Sequence, residues 1–311
     1  MYVFMKRWKV MIDLILSNAL EEFLRIKKVS GLADKSLINY RSFINPFIIF
    51  ANNCCTEVLR YDHIIEYIDY LQCRSITKTT VATYMRHLKV FFRWIENLYG
   101  LPFSAKNIII PRMPKKNVYV YTDDEIIQIF NTVSADKDWI VVRNRAIISL
   151  MLDSGLRQKE VCELERKNID FSRKIITVHG KGDKERVVPM GLLTLKFLKH
   201  YFRLCPYEIS KYIFMGRDGD VITCNAIKLF MTKLSNKLPF EFSSHKLRHN
   251  FATNYCLDQY RQYGHVDIYR LQILLGHEDV ATTQRYLHIA NQILASQSSI
   301  SHLDSIYQLS G

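Results

Sequence analysis

The sequence predicts a mainly α-helical protein with a small β-sheet or hairpin, arranged as two domains. Three observations carry that expectation. Apolar residues recur at helical spacing through much of the chain, two β-rich runs flank a single glycine-bearing turn, and the periodicity lapses across a stretch carrying prolines and lysines. A chain of 311 residues that is 48% hydrophobic has enough apolar material for two packed cores and is no disordered tail.

The first domain, residues 1–100, reads as four helices. Ile12, Leu14, Ile15, Leu20, Phe23 and Leu24 give residues 12–28 a helical period that ends at Ser30-Gly31. A second helix starts after Asp34, carries Leu37, Tyr40, Phe43 and Ile44, and runs to about Ala51, with Pro46 interrupting or kinking it. Residues 61–73 and 77–99 complete the set. In the last, Lys78, Arg86, Lys89 and Arg93 are interleaved with Tyr84, Phe91, Phe92 and Trp94, which suits a solvated basic face or a nucleic-acid backbone equally well. The charge distribution favours nucleic acid: residues 1–116 hold 18 Lys and Arg against 9 Asp and Glu, the remainder 25 against 21, within a formal charge of +13.

Residues 101–121 read as a linker, with Pro102, Pro111 and Pro114 beside Lys115-Lys116. Residues 122–311 form the second domain, opened by the capping-box sequence Thr122-Asp123-Asp124-Glu125. Residues 141–153 are apolar almost all round, as a buried helix requires, and stop at Ser154-Gly155. Arg157 follows at the turn, with Glu160, Val161 and Leu164 on the next helix; an arginine there is either an ion-pair partner of Glu160 or a phosphate ligand. Asn168 to Ser172 reads as a turn. Residues 174–178 and 185–189 are strands joined by Gly180-Lys181-Gly182-Asp183, which puts Lys181 on a hairpin tip and lacks the spacing of a phosphate-cradling loop.

The densest chemistry lies between Ser243 and His288. With Ser243 or Ser244 as a cap, His245 and Arg248 share one helix face and Leu247, Phe251 and Tyr255 form an apolar stripe on another. Basic groups at a helix N-terminus oppose the macrodipole unless an anion arrives, and the unpaired N–H groups there suit a phosphate. Leu275-Gly276-His277 closes an apolar segment, and Asp279 can cap a helix on which Tyr286 shares a face with Thr282. Two arginines, two histidines, a lysine and a tyrosine, without a carboxylate pair or a metal cage, point to metal-free phosphoryl transfer. Arg157, Arg248 and His277 would neutralise the five-coordinate phosphorus, His245 would take the proton of Tyr286, and Lys181 would protonate the leaving 5′ oxygen.

Arg157, Lys181, His245-x-x-Arg248, Gly276-His277 and Tyr286, in that order, resemble the tyrosine recombinase (phage integrase) family over nearly the whole chain. The resemblance implies an α-helical core-binding domain and a mixed α/β catalytic domain that clamp DNA between them. It also implies a covalent 3′-phosphotyrosine, a free 5′ hydroxyl and strand exchange through a Holliday junction. Glu160 matches a further acidic position of the family motif. The implied partner is double-stranded DNA with an inverted-repeat core site, bound by a homotetramer that exchanges C-terminal tails. Ser243-Ser244 departs from the proline common before the His245 position. Leu257 to Arg270, with His265, is longer than usual and reads as a surface loop, and His249 reads either as a packing residue or as one that supports a site residue from behind. Helices so close to Met1 leave no room for an arm-binding domain, as in the shorter, Xer-like members.

Seven cysteines without CxxC spacing read as thiols of a reducing cytosol, no apolar run reaches 18 residues, and no cleavable leader is apparent. The expectation is a cytoplasmic, nucleoid-associated enzyme that needs no cofactor or metal and touches no membrane. Two other readings compete with site-specific recombination: a type IB topoisomerase, which relaxes one duplex, and a DNA-binding paralogue that has lost catalysis. A metal nuclease is disfavoured by the lack of HExxH and of convergent acids.

Overall fold

The computed structural model describes residues 14–113, 119–180, 184–209 and 211–297. Lys181 and the tail beyond Gln297 lie outside the described residues. The chain divides into two compact units, Met1–Lys116 and Asn117–Gly311.

Unit one packs α1 (Leu16–Val29), α2 (Asp34–Phe50), α3 (Tyr61–Gln72) and α4 (Lys78–Leu98). The first begins later than its apolar period suggests because Ile15 is extended and bridges to Cys55. Pro46 lies inside α2, which continues through it and buries Ile44, Phe47 and Ile48. Thr77 caps α4, accepting from the Thr80 N–H at 3.2 Å. The aromatic residues of α4 are core rather than surface: Phe23 meets Phe91 and Trp94 edge-on at 5.5 Å, and Phe47 meets Phe92 at 5.3 Å. Among its basic residues, Lys89 has a structural task, donating to the carbonyls of Lys106 (2.7 Å) and Ile108 (3.0 Å). The first half of the proline-bearing stretch therefore packs on this unit, where Ala105 and Ile108 are buried, because lysine and Glu96 satisfy the backbone that proline spacing leaves unpaired.

Unit two opens with the capping box at Thr122: its hydroxyl accepts from Glu125 N (3.2 Å), and the Glu125 carboxylate accepts from Thr122 N (2.9 Å), starting α5 (Asp123–Thr132). Helix α6 (Asp138–Asp153) is buried on nearly every side. It ends at Gly155, φ +65°, where an added Cβ would lie 2.4 Å from the Phe251 ring. After the short α7 (Gln158–Cys162) comes an antiparallel sheet of β1 (Ile169–Asp170), β2 (Ile175–His179) and β3 (Glu185–Pro189) in that order. Strand β1 lies where a turn alone was expected; two residues are too few to show a period, and Asp170 also accepts from Ser172 and Arg173 N–H groups to make the turn. Ile176 pairs with Val188 and Val178 with Arg186 across β2 and β3, all four buried.

Helices α8 (Leu192–Leu204) and α9 (Cys224–Ser235) fall where the periodicity gave no assignment. The remaining helices are α10 (Ser244–Tyr263), α11 (Ile268–Leu275) and α12 (Val280–Gln297). The expected surface loop at Leu257 to Arg270 is corrected: α10 continues to Tyr263, and only the residues between Gly264 (φ +73°) and the Asp267 cap of α11 form a connection. His265 is exposed there. Buried Asn250 on α10 accepts from the N–H of Tyr121 (2.6 Å) and donates to Lys246 O (2.9 Å), pinning the start of the unit to this helix. Among the described residues no helix is long and apolar enough to cross a membrane.

Candidate active site

The site is assembled around a buried carboxylate. Arg157 is the N-cap of α7, and Glu160 accepts both its backbone N–H (2.7 Å) and its guanidinium (2.8 Å). The main partner of Glu160, however, is Arg186, which binds it bidentately at 2.9 and 2.8 Å from strand β3. Both side chains are 5% exposed. Burial opposes ionisation of Glu160, yet the Arg186 and Arg157 contacts prevail and hold it at about 2. Arg248 stands 3.9 Å from the same carboxylate. Glu160 thus organises three arginines where the spacing suggested one.

The C-terminal end of α11 fixes the same three side chains. Arg186 Nε donates to Leu274 O (2.8 Å), Arg248 to Leu275 O, and Arg157 to Gly276 O (3.1 Å). Arg248 also donates to Gly155 O, joining the ends of α6 and α11. These carbonyls have no helical partner, and they sit at the negative end of the helix dipole. Gly276 (φ +59°) turns the chain there, and an added Cβ would crowd the Arg186 side chain at 3.3 Å. Burial and the charge of Arg157 push Arg248 down to about 9, still a cation at neutral pH. Its side chain is only 6% exposed, whereas that of Arg157 is 40% exposed and faces solvent.

Tyr286 is 2% exposed on the buried face of α12, with Thr283 and Ala290. Thr283, rather than Thr282, is its neighbour in the site, because burial follows the 283, 286, 290 spacing. The Thr283 hydroxyl lies 3.0 Å from His277 Nδ1, and the His277 ring stands nearly parallel to Tyr286 at 6.3 Å. Burial and the arginines hold His277 at about 4, so it is neutral. Burial also raises the Tyr286 phenol, against the opposing pull of Arg285, Arg248 and Arg157. The Tyr286 oxygen lies 2.6 Å from Nδ1 of His249, whose Nε2 is 3.2 Å from the Arg285 guanidinium. His245, exposed near the start of α10, packs edge-on against His249 at 4.1 Å. Desolvation, followed by Arg285, Arg248 and Arg157, lowers its pKa.

Arg157, His245, Arg248, His277 and Tyr286 are therefore brought into one cluster. Lys181 lies outside the described residues; on either side of it, Gly180 N–H donates to Lys184 O (2.8 Å), and β3, which follows, bears Arg186. Among the described residues no three His, Cys, Asp or Glu side chains converge as a metal site. Sequence reasoning missed Arg186, Thr283, Arg285 and the contact of His249. Arg186 had a signal, since it alternates with Val188 on the inward face of a strand, and a buried guanidinium requires a carboxylate.

Residues 120–292 match the phage integrase family, and residues 19–98 match the phage integrase N-terminal SAM-like domain. Curated relatives include tyrosine recombinase XerC of Rickettsia prowazekii, 27% identical over 92% of this chain and 93% of the relative. XerC of Staphylococcus aureus (strain bovine RF122 / ET3-1) is 28% identical over 88% and 93%. Among solved structures, a lambda integrase dimer bound to a COC′ core site aligns with TM-score 0.71 at 17% identity, covering 88% of this chain and 77% of that one. A XerH site-specific recombinase bound to a palindromic difH substrate aligns with TM-score 0.68 at 21% identity, over 90% and 83%. At those identities the structural likeness concerns the fold.

Proposed function

Because the chain belongs to the phage integrase family and is a site-specific tyrosine recombinase, we propose that Tyr286 cleaves and rejoins DNA within the arginine–histidine cluster around it. The observation that carries this reading is the convergence of Arg157, Arg248 and His277, from three separate elements, about one nearly buried tyrosine. The Tyr286 oxygen attacks phosphorus, the bond from phosphorus to the 5′ oxygen breaks, and a 3′-phosphotyrosine forms. Arg157 and Arg248 take up the charge on the non-bridging oxygens, with His277 donating alongside. His245 receives the phenol proton. Lys181 protonates the departing 5′ oxygen. The free 5′ hydroxyl of a second strand then attacks the phosphotyrosine, so the linkage is conserved without ATP or a metal and the strands pass through a Holliday junction.

The partner in this reading is double-stranded DNA with an inverted-repeat core site, bound in the cytoplasm at the nucleoid by four protomers that exchange C-terminal tails. Leu303, Ile306, Tyr307 and Leu309 give that tail an apolar face too short to stand alone. The test of the chemistry is a nicked suicide substrate. Wild type is expected to give an SDS-resistant adduct mapped to Tyr286, and Tyr286→Phe is expected to bind DNA but give none. An adduct of normal yield in the Phe variant would remove Tyr286 from the role.

A further inference from the structure

The environment of His249 assigns it a task in the same reaction. A guanidinium has only donors, so at 3.2 Å from Arg285 the Nε2 atom of His249 must be the unprotonated, accepting nitrogen. His249 is 8% exposed. Burial, together with His245, Arg285, Arg248 and His277, which all face it, holds it at about 3, so the ring is neutral and carries one proton. That proton lies on Nδ1. The Nδ1 atom is 2.6 Å from the Tyr286 oxygen, so the ring donates and the phenol oxygen accepts.

We propose that His249, its tautomer set by Arg285, is a catalytic hydrogen-bond donor to the nucleophilic oxygen of Tyr286. The role rests on Tyr286 being the nucleophile. As the Tyr286 proton passes to His245 and the phosphorus–oxygen bond forms, His249 keeps its own proton and stabilises the charge developing on the tyrosine oxygen. In the rejoining step the same N–H stabilises that oxygen as it leaves. A neutral donor suits this work, since it survives the transfer unchanged. Arg285 is exposed and stacks on the Tyr286 ring at 5.1 Å, so it touches both members of the pair.

The test uses the full chain and a suicide DNA carrying a core site selected from random sequence by adduct formation. Single-turnover adduct formation is expected to be about 100-fold slower in His249→Ala, as for loss of one preorganised donor, with DNA affinity retained. His249→Asn, whose amide can donate from near the Nδ1 position but cannot accept a proton as a base, is expected to recover about tenfold of that loss. Arg285→Ala, a surface change, is expected to slow the reaction about tenfold, and Arg285→Lys to restore it. Nitrogen-15 spectra of histidine-labelled wild type are expected to show His249 protonated at Nδ1, with both tautomers present in Arg285→Ala. A wild-type rate or a faster one in His249→Ala, no recovery in His249→Asn, or an Nε2-protonated ring in wild type would each overturn the proposal. Tyr286→Phe run in parallel separates the two readings: an adduct there removes the nucleophile itself, whereas a Tyr286 adduct formed at full rate without His249 removes only the donor.

Discussion

Replacing Arg186 by methionine tests whether Glu160 organises the site. Relative to an ordinary glutamate near 4.3, a folded value of about 2 corresponds to about 3 kcal/mol favouring the ionised, folded form. Both side chains are 5% exposed, so solvent screening removes little of this. Loss of Arg186 removes the bidentate partner of a buried carboxylate and leaves it Arg157 and, at 3.9 Å, Arg248; the expected cost at pH 7 is about 3 kcal/mol. The sign with pH follows from the depressed folded value: the stabilisation is fully present above about pH 5 and is lost as pH falls towards 2. The gap between wild type and Arg186→Met should therefore shrink to about half by pH 3. Replacing both Glu160 and Arg186 with methionine should recover part of the stability, since the buried bidentate pair is removed together, but not cleavage, because Arg157 and Arg248 lose the carboxylate that holds them. Urea unfolding read by hydrogen exchange in α6 and α10 peptides reports unit two by itself. A loss below about 1 kcal/mol in Arg186→Met, roughly the scale of an exposed pair, or a gap independent of pH, would refute the organising role.

Arg157→Ala and Arg248→Ala are each expected to lower adduct formation by about two to three orders of magnitude, while EDTA leaves wild type unchanged; a chemical step that required added Mg²⁺ would contradict the metal-free mechanism. Gly155→Ala is expected to destabilise unit two by about 1 to 3 kcal/mol in urea, since alanine must take φ +65° and meet the Phe251 ring, and a neutral result would count against that turn. Truncation after Gln297 is expected to leave single-site binding intact but weaken synapsis in native gels on a two-site DNA. Full tetramer assembly by the truncated chain would place the tail in cis.

What local chemistry specifies was readable from the chain. The Thr122–Glu125 box, the break at Gly155, the Ser243 cap and the hairpin strands all depend on neighbours within a few residues. The wiring of the site depends on distant partners: Arg186 reaches Glu160 across 26 positions and Leu274 across 88, and His249 reaches Tyr286 across 37. Periodicity reports which face is buried but not what the buried polar group meets. It placed Arg248 on a polar face free for ligand, whereas this side chain is buried on the carbonyls of Gly155 and Leu275. For His249 the sequence leaves packing and support of a site residue undivided for the same reason, because its hydrogen-bond partners come from another helix.

The three successive carbonyls at the end of α11 act as a jig for the cations. Leu274, Leu275 and Gly276 each hold one arginine, and the helix that presents them is eight residues long and seated on Leu271, Leu274 and Leu275. Positional error in this centre is consequently shared. A change beneath α11 displaces Arg186, Arg248 and Arg157 together, preserving their mutual spacing while altering their registration with Tyr286 on the following helix. Redesign of the site has one coarse adjustment, the seat of α11, and separate fine ones at each guanidinium; variation beneath the helix shifts the whole charge pattern against the nucleophile without dispersing it.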